Sequence, residues 1–294
     1  MPRVSVGLAV YNGERFINDA MASLLRQTFD DFELIISDNA STDHTEDICR
    51  EYVASDRRVR YYRNRCNLGI SWNYRRVFEL SSGTYFKWAA YDDVCAPEFI
   101  ARCVDVLDRD GRVVVAHPRA KIIDAFGDVK ADCSAGLHLQ SPRPSERLAQ
   151  LFRNLRLSNA LYGVMRSDVL RETPLVGDFP AADIPLLAEL CLRGLFYEIP
   201  EFLFYRRVHS RATSLLRDDQ SQLKAYNPAK VGRAVFREWR LLGEHWRSMT
   251  RVPLPWRERV CVALLLLKRG MWNRGELVHE LVSGGRVGND VLRH

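Results

Sequence analysis

The chain has 294 residues, of which 47% are hydrophobic and 27% charged, so it is long enough for one large domain plus an appendage or for two small domains. Its seven cysteines are scattered and form no CxxC pair, which argues against a zinc site or a disulfide framework and for a reducing compartment. No stretch approaches the ~20 apolar residues of a membrane-spanning helix, and the first residues lack a signal-peptide pattern, so we expect a cytoplasmic protein.

The positive charge is concentrated near the carboxyl terminus. The formal net charge is +6, and residues 215–294 alone contain 15 Lys or Arg against eight Asp or Glu. The remainder is therefore close to neutral, and its basic residues are not interleaved with aromatic ones as a stacking platform. We expect no nucleic-acid partner.

Strand and helix patterns alternate through the first 116 residues. Segments of strand length, the first of them a continuous apolar run, are separated by segments in which apolar residues recur at helical spacing. The predicted strands are 4–10, 32–37, 59–64, 85–90 and 113–116, and the predicted helices are 15–29, 41–53, 70–80 and 97–111. This alternation predicts an α/β fold with a mostly parallel sheet and helices on both faces.

The alternation becomes irregular in the second half. A hairpin is predicted around Phe126–Gly127, and helices over 146–157 and 183–194 precede a strand-rich segment, 196–210. From residue 215 onward only amphipathic helices are visible. We therefore predict an α/β domain over residues 1–214, with halves 1–115 and 116–214, and a basic helical tail over 215–294.

Polar residues follow the predicted strands at their carboxyl ends, which is where ligands of open α/β sheets bind. These residues are Tyr11, Asp38 with Asn39, Asn67, and Asp92 with Asp93. No G-x-G-x-x-G follows the first strand and no P-loop sequence occurs, so neither glycine-rich phosphate cradle is present. A diphosphate could instead be held by a divalent cation, which prefers carboxylate oxygens.

The adjacent carboxylates Asp92 and Asp93 have a simpler explanation, since an isolated Asp-Asp pair more often caps a helix, here the one beginning at Pro97. Their position at the end of a parallel strand, beside Asp38, favours a binding site instead. Neighbouring strand residues point to opposite faces, so the pair must lie in a turn where each carboxylate has a different role.

Four segments, in order and at suitable distances, carry a family resemblance. They are "VSVGLAVYNGE", "FELIISDNASTDHT", "NLGISWNYRRVFELSSGTYFKWAAYDD" and "YRRVHS". Over roughly residues 3–214 the chain resembles a family 2 glycosyltransferase of the GT-A fold. The resemblance implies a nucleoside-diphosphate sugar donor, a Mn²⁺ or Mg²⁺ cofactor, and inverting transfer to an acceptor hydroxyl on a glycan, glycolipid or small molecule. Residues 1–115 then form the donor half and 116–214 the acceptor half.

The resemblance also implies roles for the residues at the strand ends. Asp93 matches the metal-binding carboxylate that ends the family's DXD-like motif, and Asp92 matches the carboxylate that reaches the ribose or the donor sugar. The remaining residues of the implied nucleotide-sugar pocket are Ala9, Tyr11, Asp38, Asn39 and Asn67, with Tyr11 against the nucleobase. Asn39 replaces the usual Asp, so uracil, thymine and guanine all remain open as the base.

Two further residues are candidates for the chemistry. Asp183, at the start of a predicted helix, matches the family's catalytic base, with Asp178 as the alternative and helix capping as the simpler role. His209 follows the last strand-like run, where it could bind the metal or the diphosphate, or be a hydrogen-bonded loop histidine. The neighbouring Arg206, Arg207 and Arg211 could contact phosphates, although loop arginines are more often solvated.

Two other functions are compatible with an α/β sheet that carries carboxylates. A sugar nucleotidyltransferase would have a glycine-rich basic loop after the first strand, and "YNGERF" matches that poorly. A non-catalytic nucleotide-sugar-binding module is the second alternative, and it would not release nucleoside diphosphate.

The tail contains an amphipathic pattern over 230–246 and an apolar run, 260–267, with basic residues on both sides. Because the run is short, we favour a helix packed on the catalytic domain. The alternative is an interfacial helix on an anionic membrane.

Overall fold

The computed structural model describes residues 1–133, 136–210, 212, 215–216 and 218–285. The predicted boundary at residue 214 and Arg211 lie outside this part. One sheet of nine strands forms the centre, in the order β3–β2–β1–β4–β8–β6–β9–β5, with β7 paired to β6. The strands are β1 (Val4–Val10), β2 (Phe32–Asp38), β3 (Val59–Arg63), β4 (Tyr85–Ala90), β5 (Val94–Cys95), β6 (Val113–Ile123), β7 (Val129–Cys133), β8 (Val164–Arg166) and β9 (Leu195–Arg207).

The first half of the sheet is parallel, as the strand–helix alternation predicts. β1 lies between β2 and β4, so every residue of β1 is buried. Val10 pairs with Asp38, and Ala9 with Ala90, so the carboxyl ends of three strands meet at one edge. This register places the predicted strand-end residues together.

The second half of the sheet is mixed. β8 runs antiparallel between β4 and β6, and it was not predicted because three residues are too short to show a period. The predicted hairpin is confirmed as β6 and β7, with a turn in which the Asp124 carboxylate accepts from the N–H groups of Phe126 and Asp128. β5 pairs antiparallel with the end of β9, which brings residues 92–95 beside residues 204–207.

Eleven α-helices occur in the described part. They are α1 (Ile17–Leu25), α2 (Thr45–Ser55), α3 (Ile70–Glu79), α4 (Phe99–Arg109), α5 (Pro144–Asn154), α6 (Ser167–Arg171), α7 (Asp183–Arg193), α8 (Asp219–Tyr226), α9 (Arg237–Arg251), α10 (Trp256–Trp272) and α11 (Arg274–Val282). Apolar clusters fill both faces of the sheet: α1 and α4 cover one, and α3, α5 and α7 cover the other. The α/β architecture predicted from the sequence is therefore confirmed.

The tail helices extend the core on the α7 side. Met249 of α9 and Val262 and Leu266 of α10 join the apolar cluster on that face, so the predicted packing is confirmed. The prediction of a helix from residue 230 is wrong, because Gly232 has φ +83° and α9 begins only at Arg237. In the described ranges, no helix is long and apolar enough to cross a membrane.

Candidate active site

The acid pair lies in the turn between β4 and β5, and its two carboxylates have different partners. Asp93 Oδ1 accepts the backbone N–H of Arg207 at 2.8 Å, whereas Asp92 Oδ2 lies 2.9 Å from Nε2 of His209. The hydrogen bonds of the described residues give neither carboxylate a partner in α4, which begins at Phe99 rather than at Pro97. The helix-capping alternative is therefore wrong.

Asp93 sits in an environment that disfavours its negative charge. The residue is only 8% exposed, and apart from the Arg207 N–H its carboxylate has no hydrogen-bond partner in the described part of the chain. Burial, followed by the neighbouring charge of Asp92, raises the pKa of Asp93 to about 7. The N–H of Arg207 and the positive charges of Arg206 and Lys87 act in the opposite direction but do not cancel this effect.

Arg207 holds the turn in place. Its side chain is only 3% exposed, its Nε donates to the backbone oxygen of Asp92 at 2.8 Å, and its Nη2 pairs with Asp19 of α1 at 2.9 Å. The expectation of a solvated arginine is thus wrong for this position. Because the guanidinium is already engaged, we assign Arg207 to positioning Asp92 and Asp93 rather than to phosphate contact.

The residues at this edge fit a divalent cation that shares its ligands with a diphosphate. Among the described residues, no group of three or more His, Cys, Asp or Glu side chains is arranged to hold a metal ion alone. Mg²⁺ and related hard cations are commonly held by one or two carboxylates plus substrate phosphates, so a protein site with few ligands suits them. Asp93 has an oxygen to offer, whereas His209 would exchange its contact with Asp92 for the cation.

Asp38, by contrast, is saturated by the protein. The residue is fully buried, and Oδ1 accepts from both N–H and Oγ of Ser41, at 2.9 and 2.6 Å. Its Oδ2 accepts from the hydroxyl of Tyr61 and from Arg63, each at 2.7 Å. A carboxylate has about four acceptor positions, so no position remains for a nucleobase. The geometry favours a supporting role for Asp38 over the direct contact that the resemblance implies.

Asn39 and Asn67 form an amide network beside Asp38. Asn39 Oδ1 accepts from Asn64 Nδ2 at 2.9 Å and from the N–H of Leu68 at 3.0 Å, while its Nδ2 donates to Asn67 Oδ1 at 2.8 Å. Asn67 Oδ1 also accepts the N–H of Gly69 at 2.9 Å. An aspartate at position 39 could not donate to Asn67, so the departure from the family pattern has a structural explanation.

Tyr11 and Ala9 lie where a nucleotide could approach the sheet. Tyr11 follows β1 and is 41% exposed, whereas Ala9 is buried within β1. The turn after Tyr11 is fixed by Asn12, whose side-chain Oδ1 accepts the N–H of Thr42 at 2.8 Å and whose backbone N–H donates to Ser41 Oγ at 2.9 Å. An exposed aromatic ring on a fixed turn can stack on a base.

The structure distinguishes the two candidate bases. Asp178 pairs with Lys230 at 2.6 Å, and although partial burial acts in the opposite direction, this ion pair lowers the pKa of Asp178. Asp183 is the first residue of α7, whose N-cap Ala182 provides no capping side chain, and it has no ion-pair partner within the described ranges. Asp183 is therefore the better placed of the two to accept a proton.

Three tyrosines, Tyr74, Tyr162 and Tyr226, lie between the acid pair and Asp183. We call the region that they border the tyrosine-lined space. The hydroxyls of Tyr74 and Tyr162 are 3.2 Å apart, and burial, with smaller contributions from the charges of Asp92 and Asp93, raises the pKa of both phenols. Burial, followed by the charge of Asp183, raises the pKa of Tyr226. Tyr74 lies in one of the segments that carry the family resemblance, but the resemblance implies no role for it, and Tyr162 and Tyr226 lie outside the α/β alternation.

A cavity of about 470 Å³ opens next to this space. It lies between the start of α3, residues 174–186, the end of α8 and the side of α9. The aromatic side chains Trp72, Phe179 and Tyr226 line it together with Asp178 and several arginines. Aromatic faces combined with charged and amide groups are suited to sugar rings.

Comparison with known proteins shows the family of this chain. Residues 5–172 match the family profile described as Glycosyl transferase family 2. An uncharacterized glycosyltransferase of Haemophilus influenzae is 29% identical over 220 residues, which cover 72% of this chain and 68% of that protein. Several further relatives are matched over less than half of their own length.

Solved structures share the fold. TarS of S. aureus in complex with UDP-GlcNAc superimposes with a TM-score of 0.68 at 14% identity, over 95% of this chain and 79% of TarS. The mannosyltransferase PcManGT of Pyrobaculum calidifontis, in complex with GDP-Man and Mn²⁺, gives a TM-score of 0.58 at 14% identity, over 98% and 76% of the two chains. Since the matched family profile spans more than half of the sequence, the chain belongs to glycosyl transferase family 2 and is a glycosyltransferase of the GT-A fold.

Proposed function

We propose that this glycosyltransferase is metal-dependent and inverting, and that it moves a sugar from a nucleoside-diphosphate donor to an acceptor hydroxyl. The observation that carries the proposal is that the tyrosine-lined space has carboxylates at both ends. The buried Asp93, beside Asp92 and His209, lies at one end, and Asp183 lies at the other. Inverting transfer needs two groups of this kind, one for the diphosphate and one for the acceptor proton.

The donor would lie across the carboxyl ends of β1, β2 and β4, within residues 1–115. Tyr11 would stack on the base, Asp92 would face the ribose or sugar, and Ala9 would allow a close approach because its side chain is small. Asn67 would contact the nucleotide through its Nδ2, while Asp38 and Asn39 keep the pocket in shape. Two solved structures of similar fold are complexes with UDP-GlcNAc and with GDP-Man. These complexes support a nucleotide-sugar donor for this chain and leave the identity of its base open.

Asp93 and His209 would hold the cation, Mn²⁺ or Mg²⁺, between the protein and the two phosphates. When bound, the cation neutralises the negative charge that builds up on the departing diphosphate. Arg207 would keep Asp93 aimed at it through the backbone N–H bond. The Mn²⁺ in the complex of the mannosyltransferase PcManGT supports the choice of a divalent metal.

Asp183 would take the proton from the acceptor hydroxyl as that oxygen attacks the anomeric carbon from the side opposite the diphosphate. Asp178 is neutralised by Lys230 and is the weaker base. The cavity beside Tyr226 would hold the acceptor's sugar rings against Trp72 and Phe179, so the acceptor would contact both predicted halves of the domain and the tail.

The acceptor would belong to a cell-surface polysaccharide, a glycolipid or a related glycoconjugate. We place the reaction in the cytoplasm, because all seven cysteine thiols are unpaired in the structure, which supports a reducing compartment.

A thermal-shift panel of UDP-, dTDP- and GDP-sugars, each with Mn²⁺, Mg²⁺ or EDTA, tests the proposal. We expect one class of donor to raise the melting temperature, and to do so strongly only with the metal. Slow release of nucleoside diphosphate from that donor should accompany the shift. If no nucleotide sugar stabilises the protein, the proposed reaction is wrong. It is also wrong if the protein instead uses pyrophosphate to convert the donor to a nucleoside triphosphate and a sugar phosphate.

A further inference from the structure

α10 has two apolar faces, and the described part of the chain covers only one of them. Val262 and Leu266 point into the core. On the opposite side, apolar side chains recur at intervals of three or four residues along the whole helix, and each is 50–71% exposed. These residues, which we call the apolar stripe, are Trp256, Val260, Leu264, Leu267 and Met271.

Basic residues border the apolar stripe on both sides. At 3.6 residues per turn, Arg257 and Lys268 lie along one edge of the stripe and Arg259 along the other, and all three are exposed. The only acid of α10, Glu258, lies on the far side, where it accepts from Arg143 at 3.0 Å and from the N–H of Ser145 at 2.8 Å. The uncovered face is thus apolar at its centre and purely cationic at its margins.

Tryptophans mark both ends of the helix. Trp256 is 71% and Trp272 80% exposed, and each lies near a cation, with Arg257 5.4 Å from the ring centre of Trp256 and Lys268 5.8 Å from that of Trp272. Tryptophan favours the boundary between lipid headgroups and acyl chains, and long basic side chains can extend from there to anionic headgroups.

α11 continues the surface beyond Trp272. Val278, Leu281 and Val282 are each more than half exposed. The opposite face of α11 is anchored, because Leu277 and Glu280 are buried and the Leu277 backbone oxygen accepts from Trp239 Nε1 at 2.9 Å. The exposed apolar side chains therefore belong to helices whose other faces are already packed.

We propose that the apolar stripe and the exposed side chains of α11 form a surface that lies in the interface of an anionic lipid bilayer. The stripe would enter the boundary between headgroups and acyl chains, and Arg257, Arg259 and Lys268 would pair with lipid phosphates. The charges favour a lipid surface over a protein partner, because both edges of the apolar stripe on α10 carry basic residues and no acidic ones. Membrane binding goes beyond the proposed function. A lipid-borne acceptor would be a consequence that rests on the proposed function.

Vesicle flotation of the full chain tests the surface, with vesicles of phosphatidylcholine alone and of phosphatidylcholine mixed with phosphatidylglycerol. We expect the wild type to float with the anionic vesicles. The double variant Leu264→Glu/Met271→Glu should lower the vesicle partition coefficient by at least about tenfold, because two buried apolar contacts are replaced by charges. Val53→Glu, at an exposed apolar position of α2, is the matched control and should float like the wild type.

The cationic margin is tested separately with Arg257→Gln/Lys268→Gln. We expect a loss of roughly fivefold in affinity for anionic vesicles for each charge removed, with weak binding to neutral vesicles unchanged. Added salt should weaken wild-type binding in the same way, since exposed charges are screened.

Several results would overturn the proposal. They are a wild type that does not float, a Leu264→Glu/Met271→Glu variant that floats as well as the wild type, and a wild-type dimer that this variant converts to monomers without any vesicle binding. The last result, measured by light scattering, would assign the surface to contact between two copies of the chain. Thermal unfolding and the donor-induced shift should be unchanged in the double variant, which separates a failure here from a failure of the proposed function.

Discussion

Asp38 and Asp93 are two buried aspartates at the ends of strands that flank β1, yet the protein treats them in opposite ways. Among the described residues, Asp38 receives four hydrogen bonds, which occupy both oxygens, whereas Asp93 receives one, and burial raises the pKa of Asp93 to about 7. Position at a strand end therefore does not identify a ligand-binding carboxylate. The oxygens that the protein leaves without donors do.

The largest effect on the transfer rate is expected at Asp183, the carboxylate on the acceptor side that has no ion-pair partner among the described residues. Asp183→Asn should slow sugar transfer by roughly a thousandfold, because the proton acceptor is lost, while donor binding is retained. The measurement is the transfer rate on any saccharide that the wild type glycosylates in an array.

Asp178→Asn is the matched control for that variant. Since Asp178 is already paired with Lys230, its loss should change the transfer rate at saturating acceptor by less than about threefold. Because Asp178 also lines the cavity proposed for the acceptor, any effect should fall on the acceptor concentration needed for saturation. If transfer by Asp178→Asn is as slow as transfer by Asp183→Asn, the ion pair with Lys230 does not prevent Asp178 from acting as the base, and our assignment of that role to Asp183 is wrong.

The next effect concerns stability and uses one isosteric change at both sites. Asp38→Asn should lower the free energy of unfolding by about 3 kcal/mol, because Arg63 and Tyr61 lose a buried charged acceptor. Asp93→Asn should leave it unchanged or raise it in EDTA, because a charge disfavoured by burial is removed. Urea unfolding measures both, and a larger loss for Asp93→Asn would reverse our assignment of the two roles.

A smaller loss of stability is expected for Asn39→Asp. The carboxylate keeps the bonds from Asn64 and Leu68 but cannot donate to Asn67, so about 1 kcal/mol should be lost. The same variant, tested with UDP- and GDP-sugars in a thermal-shift assay, shows whether position 39 takes part in base choice. Unaltered stability would mean that the amide network does not hold the pocket.

The smallest effect should follow Tyr74→Phe, which removes one hydroxyl from the tyrosine-lined space. We expect a change of about twofold to fivefold in the transfer rate and about 1 kcal/mol in stability, since only the contact with Tyr162 is lost. A hundredfold loss of rate with unchanged stability would instead place the hydroxyl of Tyr74 in the chemistry.

The sequence predicted the parallel half of the fold well, because each buried strand there is a continuous apolar run followed by an amphipathic helix. β8 has only three residues and pairs far from its neighbours in sequence, so it shows no period. The start of α9 was predicted seven residues early, because apolar spacing continues through Gly232 although the backbone there is not helical.

The sequence predicted where the candidate site lies, but not which hydrogen bonds its residues make. Strand ends placed Asp38, Asn39, Asp92 and Asp93 at one edge, as the register of β1 confirms. Which oxygens remain available depends on Ser41, Tyr61 and Arg63 for Asp38 and on Arg207 for Asp93. Except for Ser41, these partners are 23 to 114 residues away in sequence. For the same reason, the tyrosines between the two halves of the site could not be identified from the sequence.

The most direct test of the account is the release of nucleoside diphosphate from the preferred donor across a Mn²⁺ titration, for the wild type and for Asp93→Asn. We predict that wild-type release rises with Mn²⁺ and is suppressed by EDTA, whereas Asp93→Asn is roughly a thousandfold slower and insensitive to Mn²⁺. Equal donor binding and equal release by the two proteins, with and without the metal, would show that Asp93 does not hold the diphosphate through a cation.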